Sequence, residues 1–276
     1  MAMNLGSGYY ENGSYANALK YHKKALKLKK EKDLDYANIL NLIGYDYEKL
    51  QNYDEAINYL KMGLDIFEKY CYDDDDDYIA NISYIANVYK DNGDFEKALT
   101  SYERAIFMLK KAGLGEEPFF GELLNKTAEL YSETGNDKRA LELRNSALAI
   151  FEKRVGNKNL FYANCLREIA DIYYRNYIYG EAISFLQRSL DIKSSIMSVE
   201  DKDFLDDFLL LAEIYEKNGQ TKRAVEVYEY LLENITVKNS KYRSIIFKLA
   251  AKFRLNESGE KLFELYYKYK KADPTA

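Results

Sequence analysis

Five alanines, Ala56, Ala98, Ala140, Ala182 and Ala224, stand at intervals of 42 residues, and Ala18 precedes the first by 38. Nine residues before each of the six comes a tyrosine: Tyr9, Tyr47, Tyr89, Tyr131, Tyr173 and Tyr215. Three before the tyrosine lies a small residue, Gly6, Gly44, Ala86, Ala128, Ala170 or Ala212. Seven after the marker alanine another small residue follows in five units, as Ala25, Gly63, Ala105, Ala147 and Ser189, whereas the sixth has Leu231. Repetition at a fixed spacing of this length predicts a stack of like supersecondary units, because one such unit cannot bury its apolar face alone.

Each unit reads as two helices. Ile39, Leu40, Ile43, Gly44 and Tyr47 keep the three-and-four spacing of one helix face, and Tyr53, Ala56, Ile57, Leu60, Gly63 and Leu64 trace a second. The break between them carries Gly13, Gly93, Gly135 or Gly219 in four units, as a chain passing through positive φ at a helix end requires. Gln51 and Tyr177 take that place in the other two. Prolines occur only at Pro118 and Pro274, so long helices run uninterrupted and the chain is expected to be all-α. Small residues at the fixed positions let helices approach closely, and tyrosines, 28 in all, fill the gaps beside them.

The phrases "LGSGYYENGSYANALKYHKKAL" and "IANVYKDNGDFEKALTSYERAI" resemble the tetratricopeptide repeat family. The resemblance implies a right-handed superhelical solenoid of antiparallel helix pairs. Six units are expected at 4–35, 36–72, 78–114, 119–156, 160–198 and 204–235, with a degenerate seventh over 241–271 as a cap, all in one continuous domain. The family's usual period is about 34 residues, so the extra residues of each unit must lengthen helices or links. "KYCYDDDDD", "KAGLGEEPFF", "EKRVGNKNLF" and "KSSIMSVEDK" occupy that place. This longer form is similar to kinesin light chains and to the intracellular peptide-pheromone receptors of Gram-positive bacteria. The first unit starts near its own fourth position, which is the expectation for a lost preceding helix or for added residues at positions 1 to 3.

In that family the stripe beside the packed face of each first helix lines a concave groove. Here the stripe places Asn38, Asn41 and Tyr45 in the second unit, then Ser83, Tyr84, Asn87 and Lys90. Asn125 and Glu129 follow in the fourth unit, and Asn164, Arg167, Asp171 and Tyr174 in the fifth. Asn41, Ser83, Asn125 and Arg167 share one position and form a polar ladder. Side-chain amides both donate and accept, so such rungs suit the backbone of an extended peptide. Towards the C-terminal end Glu122, Glu129, Glu133, Glu168, Asp171, Asp206, Glu213 and Glu216 make the stripe acidic, which favours a basic segment in the ligand. A basic clamp for a carboxylate tail is not matched.

Other functions find little support. Net charge is −5, against direct nucleic-acid binding, and no apolar run reaches the roughly 18 residues of a membrane span. Cys71 and Cys165 are too few for a disulfide framework or metal knuckle and read as buried thiols of a cytoplasmic protein. The acids from Asp73 to Asp77 lack the alternation and glycine of a calcium loop. The lysines between Lys20 and Lys32 read as a solvated outer face. His22 is the only histidine and stands at a packing position. With no nucleophile motif, phosphate loop, metal set or cofactor signature, the chain reads as a non-enzyme. Two readings stay open: a scaffold that holds a protein or peptide segment, and the ligand-sensing part of a pheromone-type regulator.

Overall fold

Why two helices per repeat are joined by so short a turn is visible in the backbone hydrogen bonds. The computed structural model describes residues 2–70, 76–236, 241, 244–248 and 267. Cys71, Asp73 to Asp75 of the acidic run and nearly all of the seventh unit lie outside the described residues. The described residues hold twelve long helices and no strand. The first four repeats supply α1 (Ala2–Glu11), α2 (Tyr15–Leu28), α3 (Leu34–Lys49), α4 (Tyr53–Tyr70), α5 (Asp76–Asp91), α6 (Phe95–Lys111), α7 (Pro118–Glu133) and α8 (Asp137–Val155). The next two supply α9 (Leu160–Arg175), α10 (Tyr179–Lys193), α11 (Lys202–Lys217) and α12 (Thr221–Asn234).

In every repeat the marker tyrosine's carbonyl closes the first helix. Ser14, Asn52, Asp94, Asn136, Ile178 and Gln220 donate their backbone N–H to the carbonyls of Tyr9, Tyr47, Tyr89, Tyr131, Tyr173 and Tyr215, at 2.7–2.9 Å. The residue just before each donor has positive φ, from 59° at Gln51 to 82° at Gly93. This is the doubly bonded helix stop that a left-handed residue makes possible. The same six donors then offer their own carbonyls to the N–H of Ala18, Ala56, Ala98, Ala140, Ala182 and Ala224, at 3.0–3.2 Å. One residue thus ends one helix and opens the next, which fixes the nine-residue interval from tyrosine to alanine.

The chain divides into two compact units, Met1–Ile150 and Phe151–Ala276. In the first, successive helices pack from α1 through α7; in the second, α9 packs on α10, α10 on α11 and α11 on α12. All six marker alanines are fully buried. The glycines of the second repeat show why larger residues are excluded: a Cβ on Gly44 would lie 2.6 Å from Leu60 Cγ, and one on Gly63 2.5 Å from Asn41 Oδ1. Four residues after each marker comes His22, Leu60, Tyr102, Arg144, Leu186 or Tyr228, each at most 4% exposed. His22 therefore holds a core position, as its spacing implies. Its Nδ1 lies 2.6 Å from Asp46 Oδ2, and burial pushes the Asp46 carboxyl upward while the histidine contact opposes this. Cys165 is likewise buried.

Of the lysines between Lys20 and Lys32, Lys20, Lys24, Lys27, Lys30 and Lys32 are exposed, as a solvated outer face requires, and Lys23 and Lys29 are half-buried. Lys23 Nζ donates to the Tyr47 hydroxyl at 2.5 Å and lies over that ring, while Lys29 pairs with Asp33 and Asp35.

Candidate functional site

A helix face becomes a binding surface only if neighbouring helices present equivalent positions side by side. Within the first compact unit three contacts report the alignment of successive first helices. Asn81 Nδ2 donates to Asn41 Oδ1 at 2.5 Å, 40 residues apart. The rings of Tyr45 and Tyr84 meet at a tilt of 49° with centroids 4.0 Å apart, and Lys90 Nζ donates to Glu129 Oε2 at 2.9 Å; each pair is 39 apart. The second unit repeats the pattern: Arg167 Nε meets Asp207 Oδ1 at 3.2 Å, 40 apart, and the Tyr174 hydroxyl donates to Glu213 at 2.6 Å, 39 apart. A period of 42 thus becomes a sideways offset of two or three residues, and the stripes of adjacent repeats run alongside each other.

The predicted residues fall into two groups along these stripes. Asn38 and Asn164 are exposed, and Asn87, Lys90, Asn125, Glu129, Arg167, Asp171 and Tyr174 are half-buried. Asn87 accepts from the Tyr102 hydroxyl at 2.6 Å, which leaves its amide N–H donors for another partner. Asp171 pairs with Arg175 one turn on, at 3.1 Å. Asn41 and Ser83 are different. Asn41 is only 7% exposed, bonded to Asn81 and packed against Gly63. Ser83, 5% exposed, donates to Ile79 O of its own helix at 2.9 Å. These two ladder rungs are buried, Asn41 bonded to a neighbouring first helix and Ser83 bonded back within its own.

Tyr45 and Tyr84 form an aromatic step on the stripe. Burial pushes the Tyr45 phenol up to about 12. Burial also raises that of Tyr84, helped by Glu48, to which its hydroxyl donates at 2.9 Å. In the second unit the hydrogen bond to Glu213 pushes Tyr174 up to about 12. The phenols therefore stay neutral donors and fix the orientation of the two glutamates.

A cleft of about 310 Å³ opens in the second unit beside α9, α10 and α11, where Asn164, Arg167 and Glu168 face Lys193 and three aspartates, Asp203, Asp206 and Asp207. Two of the predicted residues meet here. Lys193, Asp203 and Asp207 were not singled out by sequence reasoning. The signal was present as spacing, since Asp207 follows Arg167 by the same 40 residues that separate Asn41 from Asn81. Among the described residues no histidine, cysteine and carboxylate group could hold a metal ion, and no helix is long and apolar enough to cross a membrane.

A tetratricopeptide repeat profile matches residues 1–69, 35–111, 78–153 and 119–195, and a second such profile matches 208–240. The chain belongs to the tetratricopeptide repeat family. Solved tetratricopeptide structures share the fold at low identity. A signal transduction ATPase with numerous domains, carrying a tetratricopeptide repeat sensor, from Pyrococcus horikoshii aligns with TM-score 0.76 and 18% identity, over 99% of this chain and 41% of that one. A putative kinesin light chain repeat protein of Podosopora anserina gives 0.63 and 22%, over 73% and 95%. A Rap protein complexed with Competence and Sporulation Factor gives 0.59 and 19%, over 98% and 73%. No curated protein matches the sequence.

Proposed function

We propose that the chain is a non-catalytic binding scaffold that holds an extended peptide or partner segment along its first-helix stripes. The separation of 39 or 40 residues between contacting first helices carries this reading, because it sets the stripes of adjacent repeats side by side with nearly the same small displacement each time. Neighbouring helices lie roughly 8–10 Å apart and an extended chain advances about 3.3 Å per residue, so one helix meets about every third peptide residue. Within residues 1–150 Asn38 and Asn87 supply amide groups along that path, and Lys90, Glu129 and the Tyr45–Tyr84 step supply charge and shape; Asp171 belongs to the stripe of the second compact unit. The excess of carboxylates in the later repeats suits a partner with a basic segment. The reading needs neither nucleic acid nor membrane, and the buried Cys165 thiol suits a reducing cytoplasm.

A sensing role is supported by likeness to a protein described as carrying a tetratricopeptide sensor and to Rap bound to a signalling factor. A sensor changes its radius of gyration in solution scattering when peptide is added, whereas a scaffold holds it constant.

The scaffold reading is tested with dodecapeptides selected from a random display library against the whole protein. Asn38→Ala with Asn87→Ala removes amide bonds worth about 0.5–1.5 kcal/mol each, so the expected loss is about 5- to 150-fold in Kd. Unchanged affinity, with helicity intact by circular dichroism, places binding elsewhere.

A further inference from the structure

The cleft beside α9, α10 and α11 has a floor and a wall of opposite character. At the floor Asp207, 3% exposed, receives Lys193 Nζ at 2.6 Å and Arg167 Nε at 3.2 Å. Two cations share one carboxylate there. The Nε bond fixes the Arg167 side chain, while its terminal nitrogens make no hydrogen bond among the described residues. The floor is thus a held fork of N–H donors with surplus positive charge.

The wall is acidic. Asp203 and Asp206 stand three residues apart on α11, which puts them on one face about 5–6 Å apart at Cβ. Asp203 has no ion-pair partner among the described residues. Asp206 is met by the ammonium of Lys241, so the chain itself already seats a basic side chain against this wall.

The geometry points to a subsite for one basic residue of a bound polypeptide. Its guanidinium or ammonium sits between Asp203 and Asp206, and its main-chain carbonyl accepts from the Arg167 fork with Asn164 alongside. This rests on the peptide-binding reading and narrows it to a side-chain class. A volume of about 310 Å³ is at the small end for ligand pockets and suits a single side chain. An acidic group would be drawn to Arg167 but repelled by the carboxylates of the wall. Lys241 is the internal competitor that an incoming cation shares Asp206 with or displaces.

The test uses N-acetyl-L-arginine amide, which has the basic side chain and flanking carbonyls but no charged terminus, titrated into the full chain and followed by ¹⁵N NMR. Shifts at the Asn164 side-chain amide and Arg167 Nε–H are expected, with Kd on the order of 1 mM for so small a probe. N-acetyl-L-glutamine amide should bind at least ~10-fold more weakly, since charge-assisted bonds are about twice as strong as neutral ones. Asp203→Asn with Asp206→Asn should weaken the arginine probe about tenfold with an unchanged melting curve; Asp203→Asn alone is read if the pair perturbs folding. Lys241→Gln should tighten it, more so at low salt. Equal binding of the two probes, or preference for N-acetyl-L-glutamate amide, overturns the assignment. Should library peptides bind through Asn38 and Asn87 while the arginine probe moves neither resonance, the subsite falls and the scaffold stands. If the probe binds the cleft and no library peptide depends on those asparagines, the subsite stands and the groove does not.

Discussion

Gly6 and Gly8 lie two positions apart in α1, yet their surroundings are opposite. A Cβ on Gly6 would come within 2.3 Å of His22 Cδ2, and that ring is pinned to Asp46 in the core. At Gly8 nothing lies within 4 Å. In a helix interior glycine costs roughly 0.5–1 kcal/mol relative to alanine. Gly8→Ala should therefore stabilise the protein by about that amount, while Gly6→Ala should destabilise it by about 1–3 kcal/mol through overpacking. Urea denaturation followed at 222 nm separates the two, and equal shifts in the same direction would show that the His22 seat does not limit α1. The lone histidine stands at a packing position in the sequence. Its position four residues after Ala18 puts it in the core, matching fully buried Leu60, Tyr102 and Leu186.

At the scale of helices, the turns show how strongly backbone geometry overrides side-chain preference. Gly13, Gly93, Gly135 and Gly219 take positive φ at no steric cost, but Gln51 and Tyr177 adopt 59° and 62° in the equivalent turns. An L-residue there costs roughly 1–2 kcal/mol. Tyr177 is 79% exposed, with its ring edge-on to Tyr179 at 6.4 Å, so little packing offsets the strain. Tyr177→Gly should raise stability by about 0.5–1 kcal/mol once glycine's larger unfolded-state entropy is subtracted. A drop on thermal melting would mean that the aromatic contact outweighs the backbone term. The helix pairs, their turns and their small-residue seams were legible because each reflects spacing along one strand of sequence. The binding face was legible only in outline. Whether a stripe residue is offered or buried depends on the offset between neighbouring helices, and a period of 42 is silent about that offset. So Asn41 and Asn38 look alike in sequence, though Asn81 captures only the first, and the 40-residue spacing from Arg167 to Asp207 gains meaning only once the Asn41–Asn81 contact shows which residues of neighbouring helices meet.

For the molecule as a whole, energy in a stacked array is a sum of repeat and nearest-neighbour terms. Residues 1–150 and 151–276 are each compact, and α8 runs as a single helix through position 150. We expect the chain to behave as a continuous array that opens gradually, without a break at that position. Ala140, in α8, is fully buried, so Ala140→Leu overpacks its seam and should cost about 1–3 kcal/mol. Local opening free energies read by amide hydrogen exchange should fall most in α7 and α8 and progressively less towards α3 and towards α11. Loss confined to residues up to 150, with α9 to α12 untouched, would make the two compact units independent folding domains. An unchanged melting curve would be more damaging still. It would mean that Ala140 tolerates bulk, and that small residues at the 42-residue positions do not set the packing of this array.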